Sequence, residues 1–231
     1  MDFEQGEVLL LNKPLTWTSF DVVNKIRYAL RKKYGKIKVG HAGTLDPLAT
    51  GLLILCTGKM TRQLETFTGQ DKEYTGTFFI GATTPTYDSE MPPDATYATE
   101  HITEDMLVQT AGRFLGEIEQ MPPVYSAIKI DGSPAYLKAR KGKEVTMQAR
   151  KVVIKEFELT NTAMPLVNFR VVCSKGTYIR SLAYDFGKAL GSGAYLAALC
   201  RTKIGDFDLE NAWEIEDLVK KISEMDVVEE K

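Results

Sequence analysis

Apolar and polar positions switch between two periods along this chain, and the switches mark out its elements. Residues 7–12 (EVLLLN) form a short apolar run closed by the turn-forming Asn-Lys-Pro, which predicts a buried strand. Val22, Val23, Ile26 and Leu30 then recur at helical spacing, with Ser19 as the expected cap and Gly35 as the stop. A second apolar run, LLILC at 52–56, predicts another strand, with a turn at Thr57-Gly58-Lys59. Residues 72–80 (KEYTGTFFI) show partial strand alternation, and 81–100, rich in Pro and Thr, reads as a long exposed excursion. Thr103 caps a short helix running to Phe114. The stretch 120–142 reads as a strand, an Asp-Gly turn and a helix begun by Ser133-Pro134. Strands follow at about 152–160 and 166–173, then a helix that stops at Gly191, a strand over 201–209 and a short helix around Trp213–Val219. Strands and helices mix without strict βαβ alternation, so the fold class expected is α+β, with a large mixed or antiparallel central sheet flanked by helices and loops. No repeat and no linker divides the sequence, which reads as a single domain over 1–231.

Composition narrows the class only a little. With 44% hydrophobic and 26% charged residues the chain is ordinary for a globular protein, and no run approaches the length of a membrane span. The N-terminus begins acidic, where a secretory signal needs a basic start, so a cytoplasmic location is expected. Cys56, Cys173 and Cys200 are odd in number and far apart in apolar settings, and they read as reduced core thiols. No Cys-x-x-Cys or His cluster suggests a metal. The pair Gly58-Lys59 is not a phosphate-binding loop, because Leu53 and Met60 stand where that motif needs Gly and Ser or Thr.

Charge changes the picture more. The net charge is −2, but residues 206–231 hold ten acids against three lysines, which leaves +5 on residues 1–205. Residues 25–38 carry seven basic residues and no acid, and 138–143 (KARKGK) form a second cluster. Such runs are commonly solvated faces, and they are also the electrostatic footprint of an RNA binder.

The densest chemistry lies at 40–51, GHAGTLDPLATG. Asp46 is the only acid between Asp21 and Glu65. By itself the stretch reads as a helix N-cap, with Pro47 at the first helical position and Gly51 as the stop. The whole string, on Gly40, His41, Gly43, Leu45, Asp46, Pro47, Ala49 and Gly51, resembles the motif of the TruB family of RNA pseudouridine synthases. The resemblance recurs in order along nearly the whole chain. It takes in Leu10, Lys13, Pro14 and Ser19; then Tyr74, Gly81, Thr84, Thr86 and Asp88; then Pro-Pro-x-Tyr-Ser-Ala-x-Lys through Tyr136, Ala139, Arg140 and Gly142; and finally Cys173 to Arg180, with Leu199 beyond.

The resemblance implies a pseudouridine-synthase-type core and an isomerase that converts uridine to pseudouridine in tRNA, at uridine 55 of the T loop, with base flipping and without cofactor or metal. It implies Asp46 as the catalytic carboxylate, nucleophile or base; Tyr74 as the aromatic face under the base; and Arg180 as the cation paired with Asp46. His41 and Leu199 would bind the substrate, together with Lys13, Lys32, Arg140 and Lys141 from the motifs and basic clusters. The larger members carry a C-terminal PUA-type domain that would follow the acidic segment 206–231. Its absence from this sequence leads to the expectation of a stand-alone enzyme outside any guide-RNA particle; a monomer is expected, and the acidic segment, which would repel RNA, should lie away from the bound surface. Met91 departs from the Gly found in many members. The competing reading is a non-catalytic RNA-binding or tRNA-chaperone protein on the same fold.

Overall fold

The computed structural model describes residues 1–130 and 132–225. In chain order these form β1 (Val8–Lys13), α1 (Ser19–Tyr34), β2 (Val39–Ala42), β3 (Ala49–Thr57), α2 (Leu64–Gly69) and β4 (Lys72–Ile80). Next come β5 (Ala82–Thr83), β6 (Ala95–Thr96), α3 (Glu104–Arg113), β7 (Gly116–Gln120), β8 (Lys129–Ile130), β9 (Ser133–Pro134) and α4 (Ala135–Ala139). The remainder holds β10 (Arg150–Ala163), β11 (Leu166–Cys173), α5 (Ile179–Ala189), β12 (Ala194–Ile204), β13 (Phe207–Asp208) and α6 (Ile215–Glu224). The fold is α+β. Two compact units divide the chain: one holds Met1–Tyr74 with the described residues from Cys200 onward, the other Thr75–Leu199. The chain passes between them inside β4 and β12, within hydrogen-bonded strands, which is why no linker composition marks the division.

In the first unit β3 pairs antiparallel with β1, Leu9 opposite Leu55 and Lys13 opposite Gly51. It also pairs with β2, His41 opposite Leu55 and Ala42 opposite Ile54. Buried Leu9, Leu11, Leu53 and Leu55 pack under Val22, Val23, Ile26 and Leu30 of α1 and Ile215, Leu218 and Ile222 of α6. Each such aliphatic side chain contributes about 1.5–3 kcal/mol by leaving water. The N-cap of α1 is Thr18, one residue before the expected Ser19. Thr18 Oγ1 accepts from the Asp21 amide and the Asp21 carboxylate accepts from the Thr18 amide, a reciprocal capping box that frees Ser19 for another use. The one-turn helix read at Asp46–Gly51 does not form: Pro47 and Leu48 make a turn closed by the Ala49 amide on the Asp46 carbonyl at 3.0 Å, and β3 begins at Ala49. Where a simple turn was read after Thr57, the chain instead makes a 3-10 turn over Gly58–Gln63 and then α2.

In the second unit β10 pairs antiparallel with β11 on one side and β7 on the other. Phe78 stacks on Phe169 at 4.1 Å, and Phe157 and Phe186 lie 6.2 and 5.5 Å from Phe78, so one aromatic cluster holds α5 against the sheet. The excursion 81–100 is less free than its composition suggests. Its β5 and β6 pair Ala82 with Thr96 and Thr83 with Ala95. Thr83 Oγ1 donates to Asp94 at 2.7 Å, and Ser192 Oγ donates to the Ala98 carbonyl at 3.0 Å.

Candidate functional site

Asp46 sits half-buried in a turn whose backbone is gripped from several sides. Ser19 Oγ donates to the Leu45 carbonyl at 3.1 Å and accepts from the Leu45 amide at 2.8 Å. The Thr16 amide donates to the Pro47 carbonyl at 2.8 Å. Lys13 occupies an inward position of β1 that strand alternation would give to an apolar residue, and it is fully buried. Its Nζ donates to the carbonyls of Pro14 at 3.0 Å, Trp17 at 2.7 Å and Pro47 at 3.4 Å. A buried ammonium survives only when carbonyls or a counter-charge replace its water. Burial pulls its pKa down to about 8 and Arg201 adds to the drop, while the attraction of Asp46 and Asp21 works the other way. Lys13, expected among the substrate-binding residues, therefore has its donors turned to the backbone under Pro47.

Two further buried cations flank the motif in this unit. Arg201, 1% exposed, donates Nε to the Leu52 carbonyl at 2.8 Å and Nη2 to the Gly43 carbonyl at 3.2 Å. Lys72 donates to the carbonyls of Thr68 and Gln70, both at 2.6 Å. Arg201 also explains Gly51: with φ at +101°, a Cβ there would lie 2.4 Å from the Arg201 carbonyl oxygen, so only glycine lets the strands approach. His41, half-buried on β2, has its pKa lowered by burial first and by Arg201 second, with the Gly43 backbone opposing. Its Nδ1 is buried with no hydrogen-bond partner among the described residues. Tyr74 is 8% exposed, on an inward position of β4.

Arg180, on α5 of the second unit, is buried, only 5% exposed. Its Nη1 and Nη2 donate to the carbonyls of Thr86 and Tyr125, each at 3.1 Å, and its Nε lies 3.6 Å from Asp88 Oδ2. The other Asp88 oxygen accepts from Thr86 Oγ1 at 2.7 Å and from the Glu90 amide at 2.9 Å. The start of α5 has no cap of its own; Gln120, fully buried, exchanges two hydrogen bonds with the Tyr178 backbone at 2.7 and 3.1 Å. Tyr87, between Thr86 and Asp88, holds φ at +62° and stacks on Tyr184 at 4.2 Å. Leu199 is half-buried on β12. Of the expected RNA-binding cations, Lys32 and Lys141 are exposed, and Arg140 already pairs with Glu90 at 2.5 Å.

The first unit thus holds Lys13 on β1, His41 on β2, Asp46 in the turn between β2 and β3, and Tyr74 on β4; the second holds Arg180, Leu199, Arg140 and Lys141. Sequence reading missed Arg201 and Gln120 and gave no role to Asp88. The signal for Asp88 was present in Thr-x-Thr-x-Asp: Thr84 Oγ1 donates to the Asp88 carbonyl and Thr86 Oγ1 to its carboxylate, each at 2.7 Å. Arg201 had none, being one basic residue among many.

The α+β fold and the comparisons with known proteins together define the class, that of the pseudouridine synthases. The family model described as TruB family pseudouridylate synthase, N-terminal domain, matches residues 31–179, and that of the tRNA pseudouridylate synthase B C-terminal domain matches 180–230. The chain belongs to the TruB family. It is 58% identical over 217 residues to the tRNA pseudouridine synthase B of Flavobacterium johnsoniae, covering 93% of this chain and 95% of that protein. It is 53% identical over 231 residues to that of Phocaeicola vulgatus, covering 99% and 98%. Among solved structures, a Cbf5-Nop10-Gar1 complex matches with a TM-score of 0.73 at 31% identity over 94% of this chain, which spans 54% of that chain. An H/ACA RNP bound to a substrate RNA containing 2'-deoxyuridine matches with a TM-score of 0.69 at 29% identity; this chain, 94% covered, spans 53% of it. Among the described residues no helix is long and apolar enough to cross a membrane.

Proposed function

We propose that this protein converts uridine 55 in the T loop of tRNA to pseudouridine, with Asp46 as the reacting carboxylate. The tRNA substrate is supported by the likeness to tRNA pseudouridine synthases B. The observation that carries the role of Asp46 is its support: a half-exposed acid on a turn whose neighbours on both sides are fixed by Ser19, Thr16 and buried Lys13. Such rigidity is what positional catalysis requires. The bond from C1′ to N1 breaks, the uracil turns, and C5 bonds to C1′; the proton leaving C5 is balanced by one gained at N1, so the product is an isomer and no co-reactant is consumed. Asp46 acts as nucleophile at the sugar or as the base that removes a sugar proton. The base must leave its stack to react. Tyr74 supplies the aromatic face and Leu199 an apolar wall. His41, whose neutral form is favoured by burial and by Arg201, supports the space that the flipped base leaves. Arg180 supplies the cation of the reaction, its fork oriented by Thr86, Tyr125 and Asp88. Action alone as a monomer, away from a guide-RNA particle, belongs to the same proposal.

The test is conversion of an unmodified tRNA transcript by purified protein, with pseudouridine mapped to the nucleotide and a transcript carrying cytidine at position 55 as control. Pseudouridine at 55 alone is the expected result. Binding without conversion would favour the non-catalytic reading, and product at another uridine would remove the T-loop assignment.

A further inference from the structure

The seven cations between Lys25 and Lys38 do not form one face. Lys25 pairs with Glu216 at 2.8 Å, and Lys33 Nζ donates to the Ser223 carbonyl at 2.8 Å, so both are turned to α6. At helical spacing Phe20, Asn24, Arg27 and Arg31 make a stripe along the opposite side of α1. Beside that stripe lies a pocket of about 650 Å³ lined by Arg27, Arg31, Lys36, Ile37, Lys38 and Val39. Four of these six residues are cations and none is an acid. Arg27 is fixed in place: Nη1 donates to Asn24 Oδ1 at 2.9 Å, Nη2 to the Val39 carbonyl at 3.1 Å, and the guanidinium lies 5.7 Å from the Phe20 ring centre. Arg31, Lys36 and Lys38 are exposed, as is Phe20 at 58%.

Four cations around a concavity, with no carboxylate paired to them among the described residues, repel one another unless an anion joins them. The volume exceeds that of a single phosphate group, and the exposed ring at one end of the stripe offers a stacking face. Phosphates at short intervals beside an unpaired base are what a folded nucleic acid presents. None of His41, Asp46 or Tyr74 lines this pocket. We infer that the pocket is a second RNA-binding subsite, holding backbone phosphates of the substrate away from the uridine that reacts. The inference rests on the proposed tRNA substrate. It explains how α6, with its acids, can pack on a basic helix without opposing RNA: Glu216 meets Lys25 on the side away from the stripe.

The test is tRNA binding from low to moderate salt by the full chain, its Arg31→Ala/Lys36→Ala/Lys38→Ala variant and Lys25→Ala, with melting temperatures to confirm folding. The triple variant is expected to bind at least about tenfold more weakly at low salt, with a log–log salt slope shallower by about 2, since each lost phosphate contact removes about 0.7–0.9. Lys25→Ala keeps the parent slope. An unchanged slope in a folded triple variant overturns the inference. So does a triple variant that loses affinity for pyrophosphate or ADP while binding tRNA like the parent, because the pocket would then serve a small anion. Conversion of tRNA by the parent is scored separately. A parent that makes no pseudouridine but loses slope with the three cations has an RNA subsite and lacks the proposed reaction.

Discussion

Ser19 grips both backbone groups of Leu45: its hydroxyl donates to the carbonyl at 3.1 Å and accepts from the amide at 2.8 Å. Both residues are buried, and Leu45 is the residue before Asp46. The capping work falls to Thr18 and Asp21, so α1 presents Ser19 to the motif turn without losing its own first-turn partner. Ser19→Ala should lower stability by about 1–3 kcal/mol, the penalty for leaving buried backbone groups unpaired. It should also slow turnover while tRNA affinity holds, because the turn and not the RNA contact is loosened. Thermal melting and single-turnover rates check this; a parent-like rate would detach Asp46 from its support.

Asp46→Asn keeps the shape and removes both basicity and nucleophilicity. Product formation should fall below detection with binding nearly intact. A variant that retains about a tenth of the parent rate, a barrier change of only about 1.4 kcal/mol, would take Asp46 out of the chemistry.

Lys13 gives a pH dependence with opposite signs for stability and rate. Its pKa drops from 10.5 to about 8, burial being the largest cause. Between those values the unfolded chain binds a proton that the folded chain does not, so the group's contribution to stability rises with pH through that window. Over the same range the cation beside Asp46 discharges, and turnover should fall with a midpoint near pH 8. Lys13→Met should be slower and lack that limb. A parent rate that stays level across pH 8 would argue against a role for the charge.

Arg180→Lys keeps a charge but cannot reach the Thr86 and Tyr125 carbonyls with one fork, and it draws away from Asp88. Both rate and melting temperature should fall. Asp88→Asn, which leaves Arg180 in place with a neutral neighbour, should lower the rate less. Equal rates for parent and Arg180→Lys would exclude a part for the planar fork.

Asp185 lies on α5, and burial raises its pKa from 3.8 to about 6 against the opposing pull of Lys188. Between those values the folded chain holds a proton that the unfolded chain has released, so this group's contribution falls as pH rises, and the deficit remains at pH 7. Asp185→Asn should therefore stabilise the fold at pH 7 by about 1–3 kcal/mol, as one pKa unit is worth about 1.4. The gain should vanish below about pH 4, which melting curves at the two pH values decide.

The α+β class, most of the strands and helices, and the motif string that ties Asp46, Tyr74 and Arg180 to one family are legible along the chain. Those properties are local: apolar period, turn residues and spacing all lie within a few neighbours of each position. The pairings between distant stretches come from folding in three dimensions. The inward register of β1 puts Lys13 under Pro47, and β12 brings Arg201 to Gly43 and Gly51, across more than 140 residues of chain. Gln120 supplies the cap that α5 lacks, and Asp88 lies beside Arg180. The basic run 25–38 reads as one charge block, yet the helix turns Lys25 and Lys33 towards α6 and lines a pocket with Arg27 and Arg31. Charge can be counted along a chain. Whether a buried cation finds carbonyls, a carboxylate or an open pocket depends on which distant backbone folds against it, and no local period encodes that.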